Sequence, residues 1–234
     1  GLIHGGIAND VKVKIEWVSS ERYEAGALER HFEGFDGLLI PGGFGDRGIE
    51  GMLMAIEWAR ANGLPFFGIC LGLQCAIIEY ARNVCSRTGA NSVEFDPDTE
   101  HPVICLMDSQ QQVTTKGGTM RLGEYAASLQ EGSRVEEVYA DQEIKERHRH
   151  RYEVNNEYRE LFEGSGLIMS GTSPDQGLVE VIELPDHPWF IACQFHPELK
   201  SRPNRPHPLF ASFIKAAAAH AAGSQTRATV GARE

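Results

Sequence analysis

Hydrophobic residues along this chain form short apolar runs that alternate with segments of helical spacing. Residues 37–40 and 66–69 are continuous apolar runs, typical of strands covered on both faces, and the first is expected at the sheet centre. Residues 11–17 alternate apolar and polar side chains, which predicts a half-buried strand. Residues 49–56 show helical spacing, and Gly63 ends that helix. Strands and helices in alternation predict an α/β fold with a mostly parallel sheet.

The second half of the chain continues this alternation. It predicts four further strands, at 103–107, 167–170, 178–184 and 189–195, and three further helices, at 71–81, 156–162 and 208–222. Residues 114–123 are polar and glycine-rich, and they predict no element. We therefore expect one domain over residues 1–222 and a flexible tail of small polar residues over 223–234.

The composition narrows the class of protein. Of the 234 residues, 41% are hydrophobic and 24% are charged, as in an ordinary globular protein. The formal net charge of -11 disfavours binding to nucleic acid or to an acidic membrane surface. The sequence has neither a signal-peptide pattern nor an apolar stretch near the roughly 20 residues that cross a bilayer. Its 5 cysteines lack disulfide or zinc spacing, which fits a reducing compartment, so a cytoplasmic location is expected.

Residues 68–72, Gly-Ile-Cys-Leu-Gly, close an apolar run and open a helical pattern. In hydrolases a tight turn from strand to helix holds the nucleophile above the sheet, and flanking glycines avoid backbone collisions. A free thiol is partly ionised near neutral pH, so Cys70 is a candidate nucleophile. Taken alone, the five residues fit a buried core cysteine equally well. The other cysteines lie in or beside apolar stretches and are interpreted as structural thiols: Cys75, Cys85, Cys105 and Cys193.

Residues 194–198, Gln-Phe-His-Pro-Glu, contain the partners that a thiol nucleophile needs. A base must take or hold the thiol proton, and a third group must orient the base. His196 directly follows a predicted strand, and Glu198 stands two residues further on. Pro197 restricts the backbone of His196 to extended geometry. A lone histidine beside a proline is more often structural, so this assignment depends on its combination with Cys70.

A glycine-rich turn, Pro-Gly-Gly-Phe-Gly at 41–45, follows the apolar run 37–40. Alone it would indicate a plain turn from strand to helix. Combined with Cys70 it predicts an oxyanion hole, in which the N–H groups of Gly43 and Leu71 face the substrate oxygen.

Three motifs in this order resemble those of class I glutamine amidotransferases: Pro-Gly-Gly at 41–43, Gly-Ile-Cys-Leu-Gly-Leu-Gln at 68–74 and Phe-His-Pro-Glu at 195–198. Four further segments are similar to the glutaminase domain of CTP synthases: 90–96, 117–123, 147–155 and 200–210. The resemblance extends over nearly the whole chain. It implies a three-layer, flavodoxin-like α/β fold with a central, mostly parallel sheet.

The resemblance also implies an activity, the hydrolysis of L-glutamine to glutamate and ammonia through a thioester on Cys70. His196 would protonate the departing ammonia and then activate water, and Glu198 would orient His196. Positions that match substrate-contacting or oxyanion-hole positions of the family are Gly43, Leu71, Gly72, Leu73, Gln74, Glu94 and Arg151.

Two of these residues carry charges that suit a free amino acid. The carboxylate of Glu94 suits the substrate ammonium, and the guanidinium of Arg151 can form a forked pair with the substrate carboxylate. Without the resemblance the residues favour a plainer interpretation. Gln74 would then pack within its helix, Glu94 would be a solvated loop charge, and residues 145–151 would be a charged surface.

The resemblance implies partners and cofactors outside this chain. The ammonia would pass to an amidoligase domain that converts UTP to CTP with ATP and Mg²⁺, with GTP as activator and a homotetramer as the assembled state. No cofactor or metal is expected on the glutaminase domain itself, and the sequence has no phosphate-binding glycine loop. In the family a strand and a helix precede the segment matching residues 6–10, so this chain is expected to be truncated there.

Two other functions stay open from the residues. The chain could be another class I thiol amidase, such as a γ-glutamyl hydrolase, although residues 200–210 argue against it. It could also be a non-catalytic regulatory or assembly module, although Cys70, His196 and Glu198 are all present.

Overall fold

The computed structural model describes residues 1–22, 32, 34–106, 120–175 and 177–231, with side chains throughout except at 22 and 224–231. The helices are α1 (Leu2–Ala8), α2 (Ile49–Asn62), α3 (Leu71–Asn83), α4 (Arg134–Tyr139), α5 (Arg159–Gly164) and α6 (Pro208–Gly231). Short 3₁₀ helices span Ser20–Arg22, Asn156–Tyr158 and Pro197–Leu199. The strands are β1 (Leu38–Ile40), β2 (Phe66–Ile69), β3 (Ala90–Ser92), β4 (His101–Leu106), β5 (Arg121–Leu129), β6 (Glu143–His150), β7 (Tyr152–Val154), β8 (Ile168–Thr172), β9 (Val179–Glu183) and β10 (Phe190–Cys193).

The main sheet has seven described strands in the order β1-β2-β10-β9-β8-β5-β6, and β3, β4 and β7 form a smaller sheet. In the main sheet β1, β2 and β10 are parallel, and the other neighbours are antiparallel. Ile69 pairs with Cys193, so β2 and β10 end at the same edge. Residues that follow these two strands are therefore brought together above that edge.

Helices cover both faces of the main sheet. On β2, Phe66 packs into one core with residues of α2 and α3, and Phe67 packs into the opposite core with residues of α6. The ring of Phe67 contacts the rings of Phe210 and Phe213 in α6. The three-layer α/β prediction is confirmed, with a mixed sheet whose parallel strands lie at the β1-β2-β10 end.

The predicted strand at residues 11–17 is not observed. No described strand pairs with this segment, and its side chains are largely exposed, with Trp17 at 87%. Alternating polarity predicts which side chains would share a face of a strand. A stable strand also needs a neighbour for its backbone N–H and C=O groups, and within the described residues this segment has none.

The predicted place of residues 37–40 at the sheet centre is wrong for the described strands. β1 stands first in the strand order, and Leu38 and Leu39 are only half-buried. The fully buried strands are β2, β9 and β10. A continuous apolar run reports that helices cover both faces of a strand, which does not require neighbours on both edges.

The remaining elements agree with their predictions except at some boundaries. Gly63 caps α2 with a φ of 67°, as predicted. β5 begins within the segment for which no element was predicted, and residues 111–119 of that segment lie outside the described part. α6 continues to Gly231, beyond the predicted end at 222. Within the described ranges no helix, α6 included, is apolar enough over sufficient length to cross a membrane.

The junction between β1 and α3 leaves no room for a side chain at Gly72. A Cβ atom there would lie 2.3 Å from the carbonyl oxygen of Ile40. We expect Gly72→Ala to lower the free energy of unfolding by about 1–3 kcal/mol, because α3 must shift to relieve the overlap. Urea denaturation measures this, with Gly89→Ala as control because nothing lies within 4 Å of that position. Equal stability of the two variants would contradict the packing at this junction.

Candidate active site

Cys70 lies between the end of β2 and the start of α3, in a strained backbone conformation. Its φ is 53° and its ψ is -99°, in a region that residues with a Cβ rarely adopt. Its N–H donates to the carbonyl oxygen of Cys193 at 2.7 Å, which ties the turn to β10. Such strain persists only where the surroundings fix it, and it is typical of the turn that holds a hydrolase nucleophile.

His196 and Glu198 form a hydrogen-bonded pair directly after β10. Nδ1 of His196 lies 2.7 Å from Oε1 of Glu198, and the backbone N–H of His196 donates to the carbonyl oxygen of Arg147 in β6 at 2.8 Å. An ionised carboxylate can only accept, so Nδ1 carries the hydrogen. Nε2 is thereby left for another partner. It is buried, and no described group completes a regular hydrogen bond to it.

The surroundings of His196 favour its charged form. The pKa of His196 is raised from 6.5 to about 10, first by the side chain of Cys70 and then by the carboxylate of Glu198, against the opposing effect of burial. Cys70 is therefore the neighbour of Nε2, although the two are not aligned as a regular hydrogen bond. Catalytic hydrogen bonds in free enzymes are often long and tighten only with substrate. The arrangement provides a nucleophile, a proton carrier and an orienting carboxylate.

Two glycines of the 41–45 turn lie against this group. A Cβ on Gly42 would lie 2.7 Å from Cε1 of His196 and 3.6 Å from Cβ of Cys70. A Cβ on Gly43 would lie 2.9 Å from Cδ2 of Leu71. The backbone of the turn thus passes between the candidate nucleophile and its base. The N–H of Leu71 belongs to the first turn of α3, where helical N–H groups have no partner within the helix.

The predicted substrate residues gather around the same turn. The N–H of Gly45 donates to Oε1 of Glu94 at 3.1 Å, so Glu94 is bound to the glycine turn and is more than a solvated loop charge. Burial raises the pKa of Tyr152, with the charge of Glu94 acting in the same direction and that of Arg151 in the opposite one. Both charges therefore lie near the ring of Tyr152.

Gln74 is buried in the first turns of α3 and has a defined amide orientation. Its Nε2 donates to the carbonyl oxygen of Tyr152 at 3.2 Å and to Oε1 of Gln194 at 3.3 Å. Both of its amide hydrogens are therefore engaged. Leu73 differs from the other predicted residues, because its side chain is fully buried in the core and only its backbone could meet a substrate.

The other buried thiols differ from a nucleophile in their surroundings. Burial raises the pKa of Cys75 to about 12 and that of Cys193 well above its ordinary value. These two thiols stay protonated at neutral pH, which makes them poor nucleophiles.

Sequence reasoning missed two features of this region. It chose Gly43 over Gly42, although Gly42 is the glycine whose missing side chain leaves space for His196. It also interpreted residues 145–151 as a charged surface or a family motif, whereas in β6 every second side chain is buried: Ile144, Glu146, His148 and His150. The signal was present in the alternation of these residues with Lys145, Arg147 and Arg149.

Residues 1–216 match the family model for class I glutamine amidotransferases. The chain belongs to this family. It is 59% identical over 215 residues to the CTP synthase of Clostridium kluyveri and 57% identical over 216 residues to that of Clostridium acetobutylicum. Each of these alignments covers 92% of this chain and 40% of the relative, so the chain spans about 40% of the length of these curated relatives.

Solved structures of amidotransferases share the fold of this chain. The glutaminase domain of Trypanosoma brucei CTPS with bound acivicin has a TM-score of 0.87 and 38% identity, with coverage of 93% of this chain and 85% of that domain. A putative GMP synthase protein from Thermoplasma acidophilum has a TM-score of 0.61 and 16% identity, with coverage of 94% and 88%. The second similarity concerns the fold alone.

The pKa of His196 provides a test of the site geometry that requires no substrate. NMR titration of labelled histidine should find His196 titrating near pH 10, far above the ordinary value of 6.5. Glu198→Gln should lower this pKa, because the neutral amide no longer stabilises the imidazolium. Cys70→Ala should lower it further, because the sulfur is the larger contributor. A His196 that titrates near pH 6.5 in the unmodified protein would contradict the described arrangement.

Proposed function

We propose that this amidotransferase hydrolyses the side-chain amide of L-glutamine and supplies the ammonia to a CTP-forming synthetase. The observation that carries the proposal is the group of Cys70 in its strained turn, His196 beside it, and Glu198 at 2.7 Å from His196. A relative in T. brucei binds acivicin in its glutaminase domain, which supports a site for amino acids in this fold.

In the proposed first step the sulfur of Cys70 attacks the amide carbon of glutamine. The carbonyl oxygen becomes an oxyanion, and the N–H groups of Gly43 and Leu71 stabilise its charge, each by roughly 3 to 4 kcal/mol. The imidazolium of His196 gives its Nε2 proton to the leaving nitrogen. The C–N bond then breaks, ammonia departs, and a thioester remains on Cys70.

In the proposed second step the neutral His196 takes a proton from water, whose oxygen attacks the thioester carbon. A second oxyanion forms in the same place and collapses with loss of the Cys70 sulfur, which releases glutamate. Glu198 keeps Nδ1 of His196 protonated throughout, so that Nε2 is the atom that gives and receives the proton. The raised pKa of His196 suits the first step, because the acid form is present at neutral pH.

Recognition of the amino-acid end of glutamine is assigned to the residues around Tyr152. Glu94 would bind the α-ammonium group and Arg151 the α-carboxylate. Gln74 adds a polar contact from α3, and Gly72 allows the helix to approach. Leu73 contributes through its backbone, since its side chain is in the core.

We assign ATP, UTP and Mg²⁺ to a separate amidoligase domain, and the steps above use none of them. The 59% identity to a CTP synthase favours this partner over those of other amidotransferases or a γ-glutamyl hydrolase. Activation by GTP, a homotetrameric assembly, a cytoplasmic location and a domain over residues 1–222 stay predictions.

The nucleophile is tested by replacing one cysteine at a time. We expect Cys70→Ala to reduce glutamine hydrolysis at least about 1,000-fold, because no other group can form the thioester. Cys85→Ala, at another buried cysteine, should keep the parent rate within about twofold. Acivicin should label Cys70, identified by mass spectrometry of the digested protein. Labelling at a different cysteine, or hydrolysis that survives Cys70→Ala, would refute the assignment.

The synthetase partner is tested by adding the amidoligase domain of the Clostridium kluyveri enzyme with ATP, Mg²⁺ and UTP. We expect CTP, followed by chromatography, to form from glutamine with the parent chain. With Cys70→Ala it should form only when ammonium chloride is added, since the ammonia source is lost. Glutamine hydrolysis without any CTP would favour a different amidotransferase, and no hydrolysis even with the synthetase present would favour a non-catalytic module.

A further inference from the structure

Strand β6 carries two buried histidines that the proposed mechanism does not use. Side chains along β6 alternate between exposed and buried, and His148 and His150 are 2% and 7% exposed. Burial, followed by the positive charge of Arg121, lowers the pKa of His148 to about 2 and that of His150 to about 3. Both rings are therefore neutral at physiological pH, and each has one donor and one acceptor nitrogen.

The hydrogen bonds of these rings fix the position of each hydrogen. Nδ1 of His150 lies 3.1 Å from the carbonyl oxygen of Tyr152, which can only accept, so Nδ1 carries the hydrogen. Nε2 of His150 is then the acceptor, and it lies 2.9 Å from Nδ1 of His148, which must donate. The result is a directed chain that runs from His148 through His150 to the backbone of Tyr152.

This chain ends beside two of the proposed substrate residues. The carbonyl oxygen of Tyr152 also accepts from Nε2 of Gln74, whose second amide hydrogen goes to Gln194. The amide of Gln74 is thereby oriented with its Oε1 left over, and among the described residues no donor reaches that oxygen. Arg151 directly precedes Tyr152, so the same carbonyl holds the backbone from which Arg151 extends.

A buried ion cluster supports the other end of the chain. Arg121 donates to Glu180 at 2.7 Å and to Glu153 at 3.4 Å, and Nε2 of His148 lies 3.7 Å from the second oxygen of Glu180. Burial opposes the charge of Arg121, but the two carboxylates outweigh it and raise its pKa. Elements β5, β7 and β9 are thus joined beneath His148. Removing a partner from such a buried cluster is strongly destabilising, so the cluster gives the histidines a rigid base.

We propose that His148 and His150 are positioning residues for glutamine recognition: through the carbonyl of Tyr152 they present Oε1 of Gln74 to the substrate α-ammonium and hold Arg151 toward the α-carboxylate. This inference rests on the proposed hydrolysis of glutamine. It assigns the pair to substrate affinity and leaves the chemistry at Cys70 to the residues already described.

The test separates affinity from chemistry with three variants at one position. His150→Leu keeps the approximate volume and removes the donor to Tyr152, and we expect it to raise the KM for glutamine about tenfold with kcat changed less than threefold. His150→Asn places an amide nitrogen near the former Nδ1 and should restore KM to within about threefold of the parent. Should His150→Leu fail to fold, His150→Gln, whose amide reaches the Nε2 position, removes the same donor and should show the same rise.

Two further measurements exclude a general loss of structure. Alkylation of Cys70 by iodoacetamide, which has no ammonium or carboxylate, should proceed at the parent rate in every variant. Hydrolysis of glutaramate, which is glutamine without its α-amino group, should depend less on His150 than hydrolysis of glutamine does. An unchanged KM in His150→Leu, or a fall in kcat and alkylation together, would overturn this inference alone. A parent protein that hydrolyses no glutamine would overturn the proposed function and this inference with it.

Discussion

The structure depends on the close approach between the first turn of α3 and the strands beneath it. Gly72 lies against the carbonyl oxygen of Ile40, and a Cβ on Gly68 would lie 2.8 Å from the carbonyl carbon of Gly72. This contact leaves Cys70 no room for an ordinary backbone conformation and explains its positive φ. Because β2 and β10 are parallel and in register, the strained turn and His196 emerge at one edge of the sheet. The candidate site is thus a consequence of backbone packing before any side-chain chemistry is considered.

Much of this arrangement could be predicted because its signals are local. The glycines around Cys70 and the Pro-Glu after His196 each occupy a few consecutive residues, and each has a direct steric or conformational meaning. The element types followed from periodicity at β2, α2, α3 and the β9-β10 pair. The roles of Gln74, Glu94 and Arg151 could not be derived in this way, since they depend on contacts between distant segments, and only the family resemblance indicated them.

The errors arose where a pattern had two physical causes. The alternation at residues 11–17 describes a face, but strand formation also requires a neighbour. The apolar run of β1 describes coverage by helices, which is separate from position within the sheet. In β6 the alternation was correct and was overlooked, because histidine and glutamate at the inward positions resemble surface residues. Their burial is tolerated because Arg121, Glu153 and Glu180 provide hydrogen bonds in the same layer.

The bond between Gly45 and Glu94 links the two ends of the proposed substrate. Glu94 accepts from the turn that contains Gly42 and Gly43, and it is also the carboxylate assigned to the α-ammonium group. A ligand that engages Glu94 therefore acts on the same loop that would stabilise the oxyanion, some distance from the ammonium. Simple amides without an amino-acid end would leave this loop unbraced. Discrimination between glutamine and other amides would then arise partly in the transition state, through the stiffness of one turn, in addition to the contacts that hold the bound substrate.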